Sequence, residues 1–468
     1  MMKSNFRRAD PDALASGIAE LVALLGDRCS TSAALLVAHG HGEAFHPDLP
    51  PDAVLFPACT SEVQAIARIC SAHAIPMVPF GAGTSLEGNV AAAHGGVSLD
   101  MSRMDAILDV NTEDMDCAVQ PGVTREALNA HLRDSGLFFP IDPGANASLG
   151  GMVATRASGT TAVRYGTMRD NVRWLSVVMA DGTLLRTARR ARKSSAGYDL
   201  TRLFTGSEGT LGIITEIGLK LHGQPEHVAA ATCAFGDLSG AVNSVVETLQ
   251  MGVPIARIEL LDAVQVRACN LYSHTRLAEQ PTLFLEFHGS QAGVCEQTEI
   301  VRLIAESHGG AQFQWATVAE DRSRLWAARH RAYSAAQALR PGSQLIVTDV
   351  CVPISRLTEC IVDTHADIAE AGLVAPIVGH VGDGNFHVFL TVDPENCEER
   401  RQAQALNDRL VARALAMDGT CTGEHGIGLG KQDKLLDELG PDAVALMRRL
   451  KQACDPAGIL NPGKIFAA

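Results

Sequence analysis

The chain has 468 residues, 46% hydrophobic and 20% charged, a balance ordinary for a globular protein of two or three domains with ample material for a core. Its 39 basic and 53 acidic residues give a formal charge of −14, which argues against a nucleic-acid binder. No apolar run approaches the roughly 18 residues of a membrane-crossing helix, and twelve cysteines without a Cys-x-x-Cys pair fit free thiols in a reducing compartment rather than an iron–sulfur module.

In chain order, residues 1–49 read as an N-terminal helical segment. Met1 to Leu14 mixes two arginines with Asp10 and Asp12 and has no apolar centre, so it is not expected to be a secretory leader. A helix is predicted from Pro11 to Leu25, then a polar linker. Val54 to Pro57 reads as a short strand, and Ser61-Glu62 opens a helix to about His73 with apolar residues at 63, 66, 69 and 70. Ile75 to Pro79, Gly96 to Asp100 and Ala118 to Gln120 are further predicted strands. Thr124 to Ser135 is a capped helix with Glu126 in its first turn. This strand–helix alternation has an α/β texture.

From Asp142 to Gly166 small residues dominate, which marks either a flexible loop or backbone pressed close to a ligand. A strand is expected from Val172 to Asp181, with the basic cluster Arg186 to Lys193 after it as a solvated loop. A domain boundary near residue 224 divides the chain into 1–49, 50–224 and 225–468. Beyond it, helix-like Ala241 to Gln250 alternates with strands such as Pro281 to Phe287. A single helix is expected over 321–340, and the stretch from about 400 is helical.

The loop Pro79-Phe80-Gly81-Ala82-Gly83-Thr84-Ser85 begins where a strand ends. Gly81 and Gly83 let backbone N–H groups turn toward an anion, and Thr84 and Ser85 add hydroxyl donors, which suits a pyrophosphate. The glycine spacing matches neither the Rossmann fingerprint nor a Walker loop. Three further segments expose backbone in the same way: Asp142-Pro143-Gly144-Ala145-Asn146-Ala147-Ser148, Ala154-Thr155-Arg156-Ala157 and Glu208-Gly209-Thr210-Leu211-Gly212-Ile213-Ile214.

Near the end, His380-Val-Gly-Asp-Gly-Asn-Phe-His387 suggests a hairpin turning at Asp383-Gly384, which would oppose His380 to His387 with Cβ atoms roughly 4.5–5.5 Å apart. Two such imidazoles with Glu424 of Gly423-Glu-His-Gly-Ile-Gly428 form a candidate divalent-metal set, Zn, Mn or Fe, with positions left open for substrate. His425 is then a candidate base, or a residue that orients Glu424. The alternative is a glycine-rich turn with merely polar histidines. Cys421 reads as a packed thiol rather than a soft ligand.

The four glycine-rich segments, in this order and with Tyr165-Gly-Thr-Met-Arg-Asp-Asn171, resemble the FAD-binding domain of the vanillyl-alcohol-oxidase-type (PCMH-type) flavoproteins. Residues 225–466 resemble the FAD-linked oxidase C-terminal domain through Arg257-Ile-Glu-Leu-Leu-Asp262, Leu325-Trp-Ala-Ala-Arg-His330 and Asn461-Pro-Gly-Lys464. Asp349-Val-Cys-Val-Pro-Ile-Ser-Arg-Leu357, with the His380 and Glu424 segments, is most similar to the cytochrome-linked D-lactate dehydrogenases. The glycolate oxidase flavin subunits and D-2-hydroxyglutarate dehydrogenases are related branches. The likeness runs from about residue 30 onward.

The resemblance implies an α+β fold and oxidation of a D-2-hydroxy acid, D-lactate to pyruvate, with electrons passed to cytochrome c, a quinone or an electron-transfer flavoprotein. It implies noncovalent FAD, since none of the four segments carries a tethering histidine or cysteine. Segments 79–85 and 142–148 are then expected around pyrophosphate and flavin, 208–214 on the adenine side, and Asn461 as a site amide. Arg329 is the expected carboxylate clamp. Dicarboxylate-using branches carry a cation two positions before the aspartate corresponding to Asp349. Here that position is Val347, which points to a monocarboxylic acid. A homodimer is admitted. The expected compartment is the cytoplasm or the inner-membrane surface, mitochondrial in a eukaryote.

Overall fold

The structure, a computed structural model, describes residues 9–43, 45–316 and 318–466. Contacts divide the chain into two compact units. The first takes the chain up to Ala157, Thr167–Gly223 and everything from Glu424; the second takes Ser158–Gly166 and Gln224–Gly423. The linear division expected from the sequence kept 158–166 with the FAD-binding half and 424–468 with the C-terminal half. The returning tail joins the first unit because Leu460 bridges in parallel to Met77 and Asn461 N–H donates to the Met77 carbonyl at 2.8 Å.

In the first unit, β1 (Cys29–Ser30), β2 (Ala53–Leu55), β3 (Met77–Phe80) and β4 (Val97–Asp100) form a sheet in the order β1-β2-β4-β3. β4 runs parallel to both β2 and β3. The helix Thr60–Ala72 makes the crossover from β2 to β3. Its Val63, Ile66, Ala67 and Cys70 recur at helical spacing and are buried. They share a core with Leu21 and Leu25 of the helix Pro11–Leu25. Glu62 sits in the first turn, where the helix dipole favours an anion, and pairs with Arg28 at 2.5 Å.

β5 (Ile107–Asn111), β6 (Asp116–Val119), β7 (Leu137–Phe138), β8 (Val172–Val178), β9 (Leu184–Arg186), β10 (Ile213–Lys220) and β11 (His222–Gly223) follow. β7 pairs with β11, and the others form an antiparallel sheet in the order β5-β6-β10-β8-β9. The small-residue stretch after Asp142 is partly helical, over Leu149–Thr155 and Ala162–Tyr165.

The second unit is built on an eight-stranded antiparallel sheet. Its strands are β12 (His227–Phe235), β13 (Arg257–Leu261), β14 (Thr282–Gly289), β15 (Gly310–Ala316), β16 (Gln344–Val347), β17 (Val350–Cys351), β18 (Ile377–His380) and β19 (Asn385–Val392). They run in the order β15-β12-β14-β13-β18-β19-β16, with β17 also paired to β19. One end of one face is apolar: Leu261, Phe284, Val378 and Phe389 pack with residues of the helices Ala263–Ser273, Ala319–His330 and Ala332–Ala338. The last two replace the single helix expected over 321–340, with Arg331 at φ −87° and ψ 13° between them.

The histidine hairpin forms, but in a different register. His380 opposes Asn385 and Val378 opposes His387. The turn is held from outside: Gly384, at φ +87°, packs so close that a Cβ would lie 2.2 Å from the Val352 carbonyl, and its own carbonyl accepts from Val352 N–H at 3.1 Å. The slip is two residues. Because strand side chains alternate with period two, a one-residue slip would have sent the histidines to opposite faces, whereas this one keeps them together as diagonal neighbours. Their ring centroids lie 5.5 Å apart at 85°.

None of the twelve cysteines is in a disulfide, and Cys421 is buried. Among the described residues, no helix is long and apolar enough to cross a membrane.

Candidate active site

In the first unit the chain leaves β3 and lines a cavity of about 1000 Å³, counted to its open mouth, with Pro79 and Gly81 through Ser85. Position 81 admits only glycine without rearrangement, since a Cβ would sit 2.2 Å from Ser148 Oγ. Pro143, Ala145, Ala147, Ser148, Ala154, Thr155, Ala157, Glu208, Gly209 and Asn461 complete the expected part of the wall. A second recess of about 420 Å³ shares Gly81, Ser148 and Gly209 with it and adds Phe80, Gly212 and Ile214. The stretch from Asp142 is therefore backbone pressed against a cavity.

Other expected residues lie off both walls. Asp142 is buried 3.5 Å from Arg125, and Asn146 Oδ1 accepts from Glu126 N–H at 3.3 Å. Gly144 turns at φ +84°, and Arg156 donates to the Thr205 carbonyl at 3.3 Å. Thr210 hydrogen-bonds to the Ser207 carbonyl, while Leu211 and Ile213 belong to apolar cores. Leu86, Asn89, Val90 and Met152 line the cavity without having been singled out from the sequence. Ser85 Oγ and Asn89 Oδ1 are buried on this wall with no hydrogen-bond partner among the described residues. Buried polar atoms are normally satisfied, so this wall is built for a polar ligand, and a phosphate-bearing flavin dinucleotide fits it.

Glu424 and His425 also line the cavity. Two buried carboxylates fix the loop that carries them. Glu208 accepts from Asn89 Nδ2 at 2.6 Å and from the N–H groups of Ile427 and Gly428 at 2.8 Å each. Glu87 lies 3.1 Å from Lys431 Nζ, 3.5 Å from His46 Nε2 and 3.9 Å from His425 Nδ1. The loop glycines follow from this crowding: a Cβ on Gly426 would lie 2.8 Å from Glu208 Oε1, and one on Gly428 2.0 Å from the Glu87 carbonyl. Burial pushes the Glu208 carboxyl above its ordinary range despite its three donors. Burial acts on Glu87 as well, but Lys431, His46 and His425 hold it below that range.

In the second unit, the sheet face that is apolar at one end turns polar at the other. Alternation puts Arg257 and Glu259 of β13, Glu286 and His288 of β14, His380 of β18 and His387 of β19 on it together. The helix Ala319–His330 adds Trp326 and Arg329. Glu259, 1% exposed, ties this end together. His380 Nδ1 lies 2.8 Å from Glu259 Oε1, and Arg329 Nη2 lies 2.5 Å from Glu259 Oε2. Burial works against the charge on Glu259, yet His380 and Arg329 hold its carboxyl below the ordinary range.

His387 Nδ1–H donates to the Thr348 carbonyl at 3.0 Å. Each histidine thus has an acceptor at Nδ1, which selects the tautomer with the lone pair on Nε2, the arrangement metal-binding imidazoles adopt. Asp349, 1% exposed, accepts from Asn385 Nδ2 and from Thr422 Oγ1 at 2.7 Å each. Val347 ends β16 against the apolar cluster, opposite Phe389.

The structure therefore brings His380, His387 and Arg329 together in the second unit, and Glu424, His425 and the glycine segments together in the first. Sequence reasoning missed Glu259 and Glu87. The only available signal for Glu259 was its place between apolar neighbours in Arg257-Ile-Glu-Leu-Leu-Asp262, a pattern that equally describes a solvent-facing charge.

Residues 224–465 match the FAD linked oxidases, C-terminal domain, and residues 51–188 match an FAD binding domain. A probable mitochondrial D-lactate dehydrogenase of Danio rerio is 54% identical over 440 residues, 93% of this chain and 88% of that protein. The mitochondrial cytochrome-type D-lactate dehydrogenase of Arabidopsis thaliana is 46% identical over 96% of this chain and 80% of its own length. Among solved structures, p-cresol methylhydroxylase with substrate bound aligns with a TM-score of 0.81 over 98% of both chains at 18% identity, a likeness of fold. The chain belongs to the FAD-linked oxidases, with the α+β fold of the PCMH-type flavoproteins.

Proposed function

We propose that this FAD-linked oxidase converts D-lactate to pyruvate and passes the electrons to a cytochrome, a quinone or an electron-transfer flavoprotein. The observation that carries the reading is the similarity to D-lactate dehydrogenases over nine-tenths of the chain. The polar face of the second unit supports it, since it sets a guanidinium beside two tautomer-selected imidazoles. The 79–85 loop, Asn89 and Asn461 would hold FAD noncovalently, and His380, His387 and Glu424 would hold a divalent ion, Zn, Mn or Fe.

When bound, FAD supplies the hydride acceptor and the ion a Lewis acid beside the substrate hydroxyl. Arg329 binds the substrate carboxylate with the guanidinium edge not given to Glu259. His425 takes the hydroxyl proton at Nε2, its Nδ1 side facing Glu87. Loss of that proton and of the α-hydride leaves the 2-oxo acid. With carboxylate and hydroxyl both fixed, one enantiomer alone presents its α-hydrogen to the acceptor.

Anaerobic mixing with D-lactate is expected to bleach the flavin absorbance, and L-lactate to leave it unchanged. Equal bleaching by both enantiomers would overturn the reading.

A further inference from the structure

Glu259 is a buried carboxylate that the chemistry above does not use, and it lies between two groups that the chemistry does use. Its Oε1 faces His380 Nδ1 at 2.8 Å and its Oε2 faces Arg329 Nη2 at 2.5 Å. By register it stands directly across from His380, since Leu260 opposes Gly379 and Leu261 opposes Val378. We propose that Glu259 is the positioning residue of the site, one oxygen fixing the His380 tautomer for the metal and the other aiming the Arg329 guanidinium at the substrate carboxylate. The proposal rests on the metal and clamp roles given above.

Physical chemistry requires a group of this kind. An imidazole free to choose its tautomer presents Nε2 with a lone pair only part of the time, and an acceptor at Nδ1 removes that choice. A long guanidinium side chain is mobile unless one edge is anchored. A single carboxylate does both because it offers two acceptor oxygens about 2.2 Å apart in a fixed plane. A glutamine of the same shape offers one acceptor and one donor, so it can serve His380 or Arg329 but not both.

The test compares Glu259→Gln, Arg329→Met and Glu286→Gln with the wild-type protein. Glu286 is a second buried carboxylate on the same face, 2.8 Å from His288 Nε2 and 3.4 Å from Arg257 Nε, and serves as the control. Each protein, purified with FAD and stripped of metal, is titrated with Mn²⁺ and with Zn²⁺ against a competing chelator. The KM for D-lactate is then measured at saturating metal.

Glu259→Gln is expected to weaken ion binding by about 10–100-fold, the range typical of lost outer-shell partners, and to raise KM. Arg329→Met is expected to raise KM with ion binding near wild type. Glu286→Gln is expected to leave ion binding unchanged, and flavin content stays at wild-type level in all three. A filler role for Glu259 predicts no loss of ion affinity beyond that of the Glu286→Gln control.

Wild-type ion affinity in Glu259→Gln overturns the positioning role while the metal reading stands. A wild-type protein that takes up no ion overturns both. If Glu259→Gln loses flavin or fails to fold, Glu259→Asp decides: its shortened carboxylate is expected to weaken ion binding, and unchanged affinity overturns the proposal.

Discussion

Two buried glutamates, one in each unit, meet opposite fates. Glu208 is 5% exposed and Glu259 1% exposed, so both suffer the full cost of desolvation. The first is pushed toward its neutral form and the second is held ionised. The difference lies in the partners. Glu208 is met by two backbone N–H groups and an amide, all neutral dipoles, with the anionic Glu87 nearby. Glu259 is met by a guanidinium and an imidazole. Dipoles can organise a loop around a carboxylate, but the full charge of a guanidinium helps keep one ionised in a dry interior. The first unit therefore uses its glutamate as an architectural pin for the cavity wall, and the second uses its glutamate to orient charged chemistry.

The two carboxylates serve different parts of the chemistry, and chelation offers the largest effect. Removal of divalent ions is expected to abolish turnover while FAD stays bound, because none of the residues assigned to the flavin is among the metal ligands, although Glu424 lines the same cavity. Dialysis against a strong chelator, then flavin absorbance and activity on D-lactate before and after adding back Mn²⁺ or Zn²⁺, measures this. Flavin loss on chelation, or full activity in the metal-free protein, would collapse the distinction.

Arg329→Ala comes next and strikes the second unit twice. A charge-assisted bond to the substrate carboxylate is worth about 1.5–3 kcal/mol, so kcat/KM on D-lactate should fall about 10–200-fold before misorientation is counted. The substitution also leaves Glu259 without its guanidinium, and breaking a buried pair costs about 3–5 kcal/mol of stability. Steady-state kinetics and denaturant unfolding read the two effects separately. Unchanged kcat/KM would remove Arg329 from the site.

What the sequence revealed follows the same division. The cavity loop was legible because glycine has few reasons to recur as it does in Pro79-Phe-Gly-Ala-Gly-Thr-Ser85, and close approach of backbone is one of them. The helix Pro11–Leu25 and the crossover helix Thr60–Ala72 were legible because apolar spacing and an N-terminal proline or acid mark them. The hairpin was legible in its faces but not in its register, because Val352, a residue outside the turn, sets the turn geometry. Glu259 was invisible because alternation of charged and apolar residues on a strand reads as one wet face. Here the wet-looking face of β13 lies under the helix Ala319–His330 and is satisfied by pairing. A tail from residue 424 onward that rejoins the first unit is a long-range event with no local mark, beyond the strictness of Asn461-Pro-Gly-Lys464.

Lys464 sharpens the first half of the comparison. It is buried, its Nζ donates to the Ala91 carbonyl at 2.5 Å, and burial pushes its pKa down to about 7, against the weaker pull of Glu208. A base with a depressed pKa in the folded state contributes stability that is full above its unfolded value near 10.5 and is lost as pH falls toward 7. Thermal unfolding of the wild-type protein should therefore shift upward as pH rises from 7 to about 10. At about 1.4 kcal/mol per unit, the effect is on the order of a few kcal/mol. Lys464→Met should flatten that slope. A slope identical to wild type would show that the amine stays charged in the fold.

The smallest effect concerns substrate choice. Val347 ends β16 opposite Phe389 and packs against the apolar cluster under the helices Ala263–Ser273 and Ala332–Ala338. A second carboxylate placed beside this surface would be desolvated without a partner, which favours monocarboxylic acids such as lactate. Val347→Lys offers that partner, and its long stem can keep aliphatic contact while the ammonium reaches polar surroundings. The variant is expected to lose part of its activity on D-lactate, through disturbed packing at Phe389, and to gain on D-2-hydroxyglutarate. A severalfold shift in the ratio of kcat/KM values is the expected size, below the full worth of an ion pair because the lysine must also be held in place. The ratio, not either rate alone, is the measurement, since a packing defect lowers both rates together and only a new charge partner moves them apart. An unchanged ratio would show that Val347 does not face the substrate, and would leave the selection against a second carboxylate to the other charges on the polar face.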